Sequence, residues 1–173
     1  MEIVTMCKHI LVAVGPSCSD TALATGIARA RECNARLTAI HVIDSAPWWA
    51  GGNVDCYGGD ALPLAEQLAR VIQRRSETLI EDSGIEGAWQ TVTLRRDGMS
   101  IGRVIAQAAN RFDADLIVLG PRKHTFFGLG ANHVRNAVSR HTGCEVLIAS
   151  QGPGGEAAGL AVRGASNRVH SNA

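Results

Sequence analysis

The stretch that decides the fold is DADLIVLG, residues 113–120, an apolar run that ends at a glycine. It continues into GPRKHTFFGLGANH, residues 120–133, a basic loop interrupted by glycines, and then into a helical pattern. A short apolar run bounded by turn residues is typical of a strand buried on both faces. A strand that passes through such a loop into a helix is also a common way to hold a phosphate. The loop is therefore a candidate anion site.

The segments on either side of this run alternate between strand and helix patterns. The predicted strands are 7–14, 35–43, 89–96, 114–120 and 144–150, and the predicted helices are 19–33, 61–84, 100–112 and 132–141. This alternation implies right-handed crossovers and a parallel sheet with helices on both faces. The sequence therefore predicts an α/β fold, a single doubly wound sheet of five parallel strands.

Capping residues and stop signals set the expected helix ends. Ser19 or Asp20 can cap the first helix, and Asn132 can cap the last. Gly84 is a stop signal for the longest helix. That helix is indicated by apolar residues at helical spacing, namely Leu64, Leu68, Val71 or Ile72, and Leu79.

The loops after the first and fourth strands are the expected edges of a binding site. In doubly wound sheets, ligands bind beyond the carboxyl ends of the strands, at the point where the strand order reverses. Residues 15–17 and 120–132 follow the two strands that flank this point. We therefore look for functional residues there.

The composition indicates one soluble domain, residues 1–150, followed by a tail at 151–173 that is rich in Gly, Ala and Ser and has no period. A net charge of +1 leaves no broad basic face for nucleic acid. No apolar run reaches the roughly 18 to 20 residues that span a bilayer. The N-terminus lacks the pattern of a signal peptide. We expect a cytoplasmic protein that binds neither nucleic acid nor membrane.

Catalytic and metal-binding patterns are weak. The five cysteines form no CxxC pair, so neither a disulfide framework nor a zinc site is indicated. His133 and His141 lie a little over two helical turns apart, too far to share an ion. Ser17 and Cys18 follow the first strand, but no base is specified nearby, and a hydroxyl there more often caps the next helix. We predict no catalytic residue and no metal site.

An irregular segment, DSAPWWAGGNVDCYGGD at 44–60, is predicted to be a long surface loop or lid. It holds Trp48, Trp49 and Tyr57. Exposed aromatic side chains are typical of interaction surfaces. The alternative is that the two tryptophans fold back over the ligand edge of the sheet or a neighbouring helix.

Four segments resemble the universal stress protein family. They are HILVAVGPSCSDTAL at 9–23, AIHVID at 39–44, DADLIVLGPR at 113–122 and NHVRNAVSRHTGCEVLIA at 132–149. The resemblance spans about residues 8–149. It implies the strand order 3-2-1-4-5, no established enzymatic mechanism, and a homodimer in which the last strands, here 144–150, pair across a two-fold axis.

The ATP motif of that family is degenerate in this chain. Nucleotide-binding members have an acid at the end of strand one and the pattern G-x2-G-x9-G-[ST] after strand four. Here Gly15 replaces the acid, Lys123 replaces the second glycine, and Asn132 and His133 replace the final pair, while Gly120 is kept. The loop is also one residue shorter. A side chain in place of glycine prevents close approach of the backbone to a phosphate.

We assign the degenerate nucleotide site to eight residues: Gly15, Ser17, Val42, Gly120, Arg122, Lys123, Asn132 and His133. One interpretation makes the loop a connector, so that the protein is a non-enzymatic stress-response or regulatory homodimer without a cofactor. The alternative is a nucleotide-binding switch or slow ATPase for ATP or AMP. In it, Arg122, Lys123 and His124 contact the anion, and Gly128 and Gly130 rebuild a nest.

Overall fold

The computed structural model describes residues 7–15, 19–44, 61–94, 99–121 and 130–150, and the structural statements below concern those residues. Strands and helices alternate along them. The elements are β1 (His9–Ala13), α1 (Ser19–Cys33), β2 (Arg36–Asp44), α2 (Ala61–Ser83), β3 (Gly87–Leu94), α3 (Ile101–Arg111), β4 (Leu116–Leu119), α4 (Gly130–His141) and β5 (Glu145–Ile148). The predicted loop after Asp44 and the predicted tail at 151–173 lie outside the described residues.

The five strands form one parallel sheet in the order β3-β2-β1-β4-β5. β1 is the central strand, and its Ile10 lies opposite Leu37 of β2 and Leu116 of β4. The order reverses between β1 and β4, which places the switch point beside the end of β1. The predicted fold class and strand order are confirmed.

Helices cover both faces of the sheet. On one face Ile10 and Val12 pack with residues of α1 and α2, such as Leu23 and Ile80. On the other face Leu11 and its neighbours pack against α3 and α4, through Ile40, Ile117, Ile105, Ala109 and Val138. Successive residues of a strand point to opposite faces, so the continuous apolar runs of β1 and β4 serve both layers. Burying each large aliphatic side chain contributes about 1.5 to 3 kcal/mol.

Most element boundaries differ from the sequence prediction by one or two residues, and the starts of β3 and α4 have a clear physical reason. β3 begins at Gly87, because Leu37 pairs with Gly87 and the Leu37 amide donates to the Glu86 carbonyl. α4 begins at Gly130, so Asn132 is the third residue of the helix and not its N-cap. Glycine is accepted at a helix start and alanine is the strongest helix former, so Gly130 and Ala131 begin the helix earlier.

Of the apolar residues that predict α2, Ile72 lies on the buried face, whereas Leu64, Leu68, Val71 and Leu79 do not. Leu64 is 67% exposed and Val71 is 64% exposed. The buried positions are Ala69, Ile72, Ser76 and Ile80. The helix itself is confirmed, and Gly84 follows it with a φ of +69°, the left-handed geometry expected of a glycine stop. None of the helices in the described part is long and apolar enough to cross a membrane.

Candidate functional site

A cavity of about 190 Å³ lies at the carboxyl ends of the strands, between the sheet and helices α3 and α4. Its walls are mainly aliphatic, with Ile40 from β2, Leu119 from β4 and Ile148 from β5. Ile101 and Ile105 of α3 close the side opposite the sheet. The cavity therefore occupies the place that doubly wound sheets use for ligands.

The end of β1 is held in place by β2. The Val14 amide donates to the Ile40 carbonyl at 2.8 Å, and the Nδ1 of His41 lies 2.7 Å from the Val14 carbonyl oxygen. A carbonyl only accepts, so the His41 Nδ1 carries the hydrogen and donates it. The imidazole is 5% exposed and stacks on Trp89 with ring centroids 6.4 Å apart. His41 is thus a satisfied histidine of the sheet, as expected for a histidine within a strand.

Gly15 follows this fixed end of β1 and lines the cavity. A Cβ built on Gly15 has no described atom within 4 Å, and its φ lies outside the left-handed region. Neither space nor backbone geometry requires a glycine at this position. The structure would accept an acidic side chain here, and the chain does not supply one.

Arg135, in the second turn of α4, is a cavity residue that the motif comparison missed. Its side chain is half-buried. Among the described residues that line the cavity it is the only one with a permanent charge, and none of them is a carboxylate. The phosphate motif of the family ends at the positions of Asn132 and His133, so it does not include Arg135. The sequence signal that could have identified Arg135 is the helical spacing of Val134 and Val138, which marks the inner face of α4.

The family model described as the universal stress protein family matches residues 6–150. The chain belongs to the universal stress protein family. The sequence resemblance is thereby confirmed. No curated protein matches the chain significantly.

Solved universal stress proteins share the fold. A member of the family from Burkholderia pseudomallei is 24% identical, with 83% of this chain and 96% of that chain covered and a TM-score of 0.58. The universal stress protein UspA from Lactobacillus plantarum is 20% identical, with coverages of 83% and 97% and a TM-score of 0.61. A universal stress protein solved in complex with cAMP is 20% identical, with coverages of 83% and 97% and a TM-score of 0.52. These identities show the fold alone.

Three of the eight predicted site residues line the cavity of this universal stress protein, namely Gly15, Val42 and Gly120. They come from the carboxyl-terminal parts of β1, β2 and β4 or follow them directly, so the topology brings them to one edge of the sheet. Asn132 and His133 lie in the first turn of α4, and their side chains are not among those described. Ser17, Arg122 and Lys123 lie outside the described residues, as do His124 and Gly128 of the alternative anion site.

The opposite, amino edge of the sheet holds a dense polar cluster. One carboxylate oxygen of Asp115, Oδ2, accepts the Lys8 amide at 2.7 Å and the His9 amide at 3.0 Å. The His9 ring donates from Nδ1 to the Phe112 carbonyl and accepts at Nε2 from the Thr38 hydroxyl, each at 2.8 Å. Both ring nitrogens of His9 and the shared Oδ2 of Asp115 are engaged, so these hydrogen bonds have a structural role and tie β1 to β2 and to the residue before β4.

Cys7 lies beside this cluster and is 7% exposed. Burial raises the pKa of its thiol from 9.0 to about 11, with smaller contributions in the same direction from Cys33, Asp115 and Glu145. A thiol with such a pKa stays neutral at physiological pH and is a poor nucleophile. Within the described ranges, no group of three or more His, Cys, Asp or Glu side chains is arranged to hold a metal ion.

Proposed function

We propose that this universal stress protein is a non-enzymatic, cytoplasmic regulatory protein of the stress response, acting as a homodimer, and that its carboxyl-edge cavity no longer recognises ATP. The observation that carries the proposal is Gly15 at the wall of a cavity whose described lining contains no carboxylate. Nucleotide-binding relatives use an acid at this position, and hydrogen bonds to a charged group contribute about 1.5 to 3 kcal/mol. Its loss corresponds to a decrease in affinity of about ten- to a hundredfold.

The size and lining of the cavity support the same conclusion. Pockets for drug-sized ligands are roughly 300 to 1,000 Å³, whereas the described residues bound a volume of about 190 Å³. Its described side chains include no nucleophile paired with a base, because His41 is directed to the Val14 carbonyl and the remaining walls are aliphatic apart from Arg135. Catalysis of phosphoryl transfer requires groups that position and neutralise phosphates.

The test is a calorimetric titration of the full-length protein with ATP, ADP and AMP in the presence of magnesium, with chromatography of any nucleotide released on denaturation. We expect no copurified nucleotide and no binding up to millimolar concentrations. Binding at micromolar strength would overturn the proposal. The variant Gly15→Asp, with Gly15→Asn as the matched neutral control, distinguishes loss of the acid at the end of β1 from loss of the loop glycines. If Asp alone restores ATP binding, the loop is still competent and only the acid was lost.

A second function, a nucleotide-binding switch or slow ATPase, is favoured by the position of the cavity. The cavity lies at the switch point of the sheet, and its lining includes Val42 and Gly120. A universal stress protein of the same fold has been solved in complex with cAMP. The titration above, extended to cAMP and to release of inorganic phosphate from ATP, decides between the two. Saturable binding without phosphate release would indicate a switch, and phosphate release abolished by Gly120→Val would indicate an ATPase.

The homodimer is proposed to form through β5, one of the two edge strands of the described sheet. The amides of Glu145 and Ala149 donate to β4, at Asp115 and Leu119, so the alternating amides of Val146 and Ile148 face the open edge. An unpaired edge is a template for a second strand. Leu147 is buried in the core, so a charge there would unfold the protein and does not test the interface.

The informative change is Val146→Pro, which removes an outward amide and leaves the bonds to β4 intact. We expect a folded monomer by sizing chromatography with light scattering, together with an unchanged far-ultraviolet circular dichroism spectrum. Val146→Lys serves as a second variant if the proline lowers the yield of folded protein. A dimer that survives both changes would place the interface elsewhere.

A further inference from the structure

The guanidinium of Arg135 has no described partner. No described residue forms a hydrogen bond or an ion pair with it, although two other arginines have carboxylate partners, Arg29 with Glu32 and Arg75 with Asp20. Arg135 is half-buried in the wall of a largely aliphatic cavity. A charge in such surroundings interacts more strongly with an opposite charge than it would on an exposed surface. Arg135 is therefore a candidate for binding an anion that enters the cavity.

The N-terminus of α3 adds to the positive potential of the cavity. Ile101, the first residue of α3, lines it. A helix N-terminus has a partial positive charge of about half an elementary unit. The first turn of α3 has no acidic residue to offset that charge. The cavity thus combines a cation with one helix N-terminal end and lacks a described carboxylate.

The rest of the cavity lining favours a ligand with an apolar body. Ile40, Ile105, Leu119 and Ile148 enclose the space from both the sheet and α3. The volume of about 190 Å³ that the described residues bound has room for a single ring or a short branched chain. A compact ligand that is apolar at one end and anionic at the other matches both parts of the wall.

We propose that the cavity binds a small organic acid, a carboxylate on an aromatic or branched aliphatic body, and that Arg135 is the residue that recognises the carboxylate. Arginine pairs with a carboxylate through two parallel hydrogen bonds, and one planar fork satisfies one carboxylate. A phosphate ester has more oxygens to satisfy than a single guanidinium can reach, and Lys123 and Asn132 replace two of the three glycines of the phosphate motif. The inference rests on the proposed loss of ATP recognition.

The test is a nuclear magnetic resonance titration of the full-length protein, labelled with nitrogen-15, against benzoate. Benzamide is the neutral probe of the same shape, and phenyl phosphate is the phosphate probe. We expect benzoate to shift the amide signals of Gly15, Val42 and Gly120 in a saturable way, and benzamide and phenyl phosphate to bind at least about tenfold more weakly, a difference of about 1.4 kcal/mol.

Two arginine variants of α4 identify the recognising residue. Arg135→Gln should weaken benzoate binding at least about tenfold while leaving benzamide binding unchanged. Arg140→Gln, at an exposed position in the last turn of the same helix, should leave both unchanged. Arg135→Lys should retain part of the affinity for benzoate, because it keeps the charge and loses the fork. Unshifted signals elsewhere in the spectrum show that each variant is folded.

Several outcomes would overturn the inference. These are equal binding of benzoate to the wild type and to Arg135→Gln, equal binding of benzoate and benzamide, tighter binding of phenyl phosphate than benzoate, or no saturable shift at tens of millimolar benzoate. ATP binding is measured separately on the same sample. Micromolar ATP binding would overturn the proposed function, whereas absence of both ATP and benzoate binding would overturn only the organic-acid assignment.

Discussion

The two ends of the parallel sheet carry opposite kinds of surface. At the amino edge, both ring nitrogens of His9 and Oδ2 of Asp115 are engaged in hydrogen bonds that connect neighbouring parts of the sheet. At the carboxyl edge, aliphatic side chains enclose a cavity in which Arg135 has no described partner. The edge that is rich in polar side chains is structural, and the edge that is poor in them holds the candidate site. The number of polar residues is therefore a poor guide to function here, and their unused bonding capacity is a better one.

The largest effect is expected at the amino edge, from Asp115→Ala. It removes an acceptor from the Lys8 and His9 amides. Hydrogen bonds to a charged group contribute about 1.5 to 3 kcal/mol each, so we expect the free energy of unfolding to fall by about 3 kcal/mol. Urea denaturation measures it. Asp115→Asn keeps a neutral acceptor and should lose about half as much. Equal stability of the wild type and the alanine variant would show that these bonds are not structural.

The second largest effect is a pH dependence of the free energy of unfolding, caused by Cys7 at the same edge. The folded Cys7 thiol has a pKa of about 11, above the ordinary 9.0, so the unfolded chain loses its proton first. Between these two values unfolding releases a proton, and rising pH favours the unfolded state. The contribution is complete below about pH 9 and is lost towards pH 11, amounting to about 2 kcal/mol. The free energies of unfolding of the wild type and of Cys7→Ala are measured by urea denaturation at a series of pH values, and their difference isolates the contribution of the thiol. A pH-independent difference would contradict the raised pKa.

A smaller effect is expected where the helices beside the cavity meet. A Cβ added at Gly102 of α3 would lie 2.6 Å from the Cβ of Ala137 and 2.6 Å from the Val134 carbonyl oxygen of α4. Overpacking typically costs 1 to 3 kcal/mol, so Gly102→Ala should lower the free energy of unfolding by about 1 to 2 kcal/mol. The double variant with Ala137→Gly should recover part of this loss. No recovery would mean that the Val134 carbonyl alone sets the helix spacing.

The smallest effect on stability is expected at the carboxyl edge, from Gly15→Ala. The added methyl group meets no described atom, and the backbone is in a region that alanine adopts. Alanine restricts the unfolded chain more than glycine does, so the free energy of unfolding should be unchanged or rise by up to about 1 kcal/mol. Thermal unfolding followed by circular dichroism checks this. A clear loss of stability would show that Gly15 is there for structural reasons, which would weaken the argument from its missing acid.

The fold was predictable because its signals are local and repeated. Apolar runs such as 116–119 indicate buried parallel strands, and Ser100 caps α3 as a helix start should be capped. The start of β3 was missed because Gly87 and Ala88 have low strand propensity and are held in the sheet by their pairing with Leu37 and Thr38. Gly87 is suited to this place since a Cβ there would overlap the Ile80 side chain.

The candidate site was predictable only in part. The position of Gly15, Val42 and Gly120 follows from topology, because the carboxyl ends of parallel strands meet at one edge. The contribution of Arg135 depends on which way α4 is rotated, and a motif that ends in the first turn of the helix contains little information on that rotation. The outward orientation of Leu64 and Val71 on α2 shows the same limit, since periodicity identifies a helix and not which of two apolar stripes is buried.

The central place of β1 has a consequence for synthesis on the ribosome. One edge of β1 can pair with β2 soon after residue 44 emerges, but its other edge pairs with β4, which begins at residue 116. During the synthesis of most of the domain, that second edge of the nascent sheet has no native neighbour, and exposed edges are sites of misassociation. The interval between these two pairings is the period in which the growing chain most needs protection by chaperones.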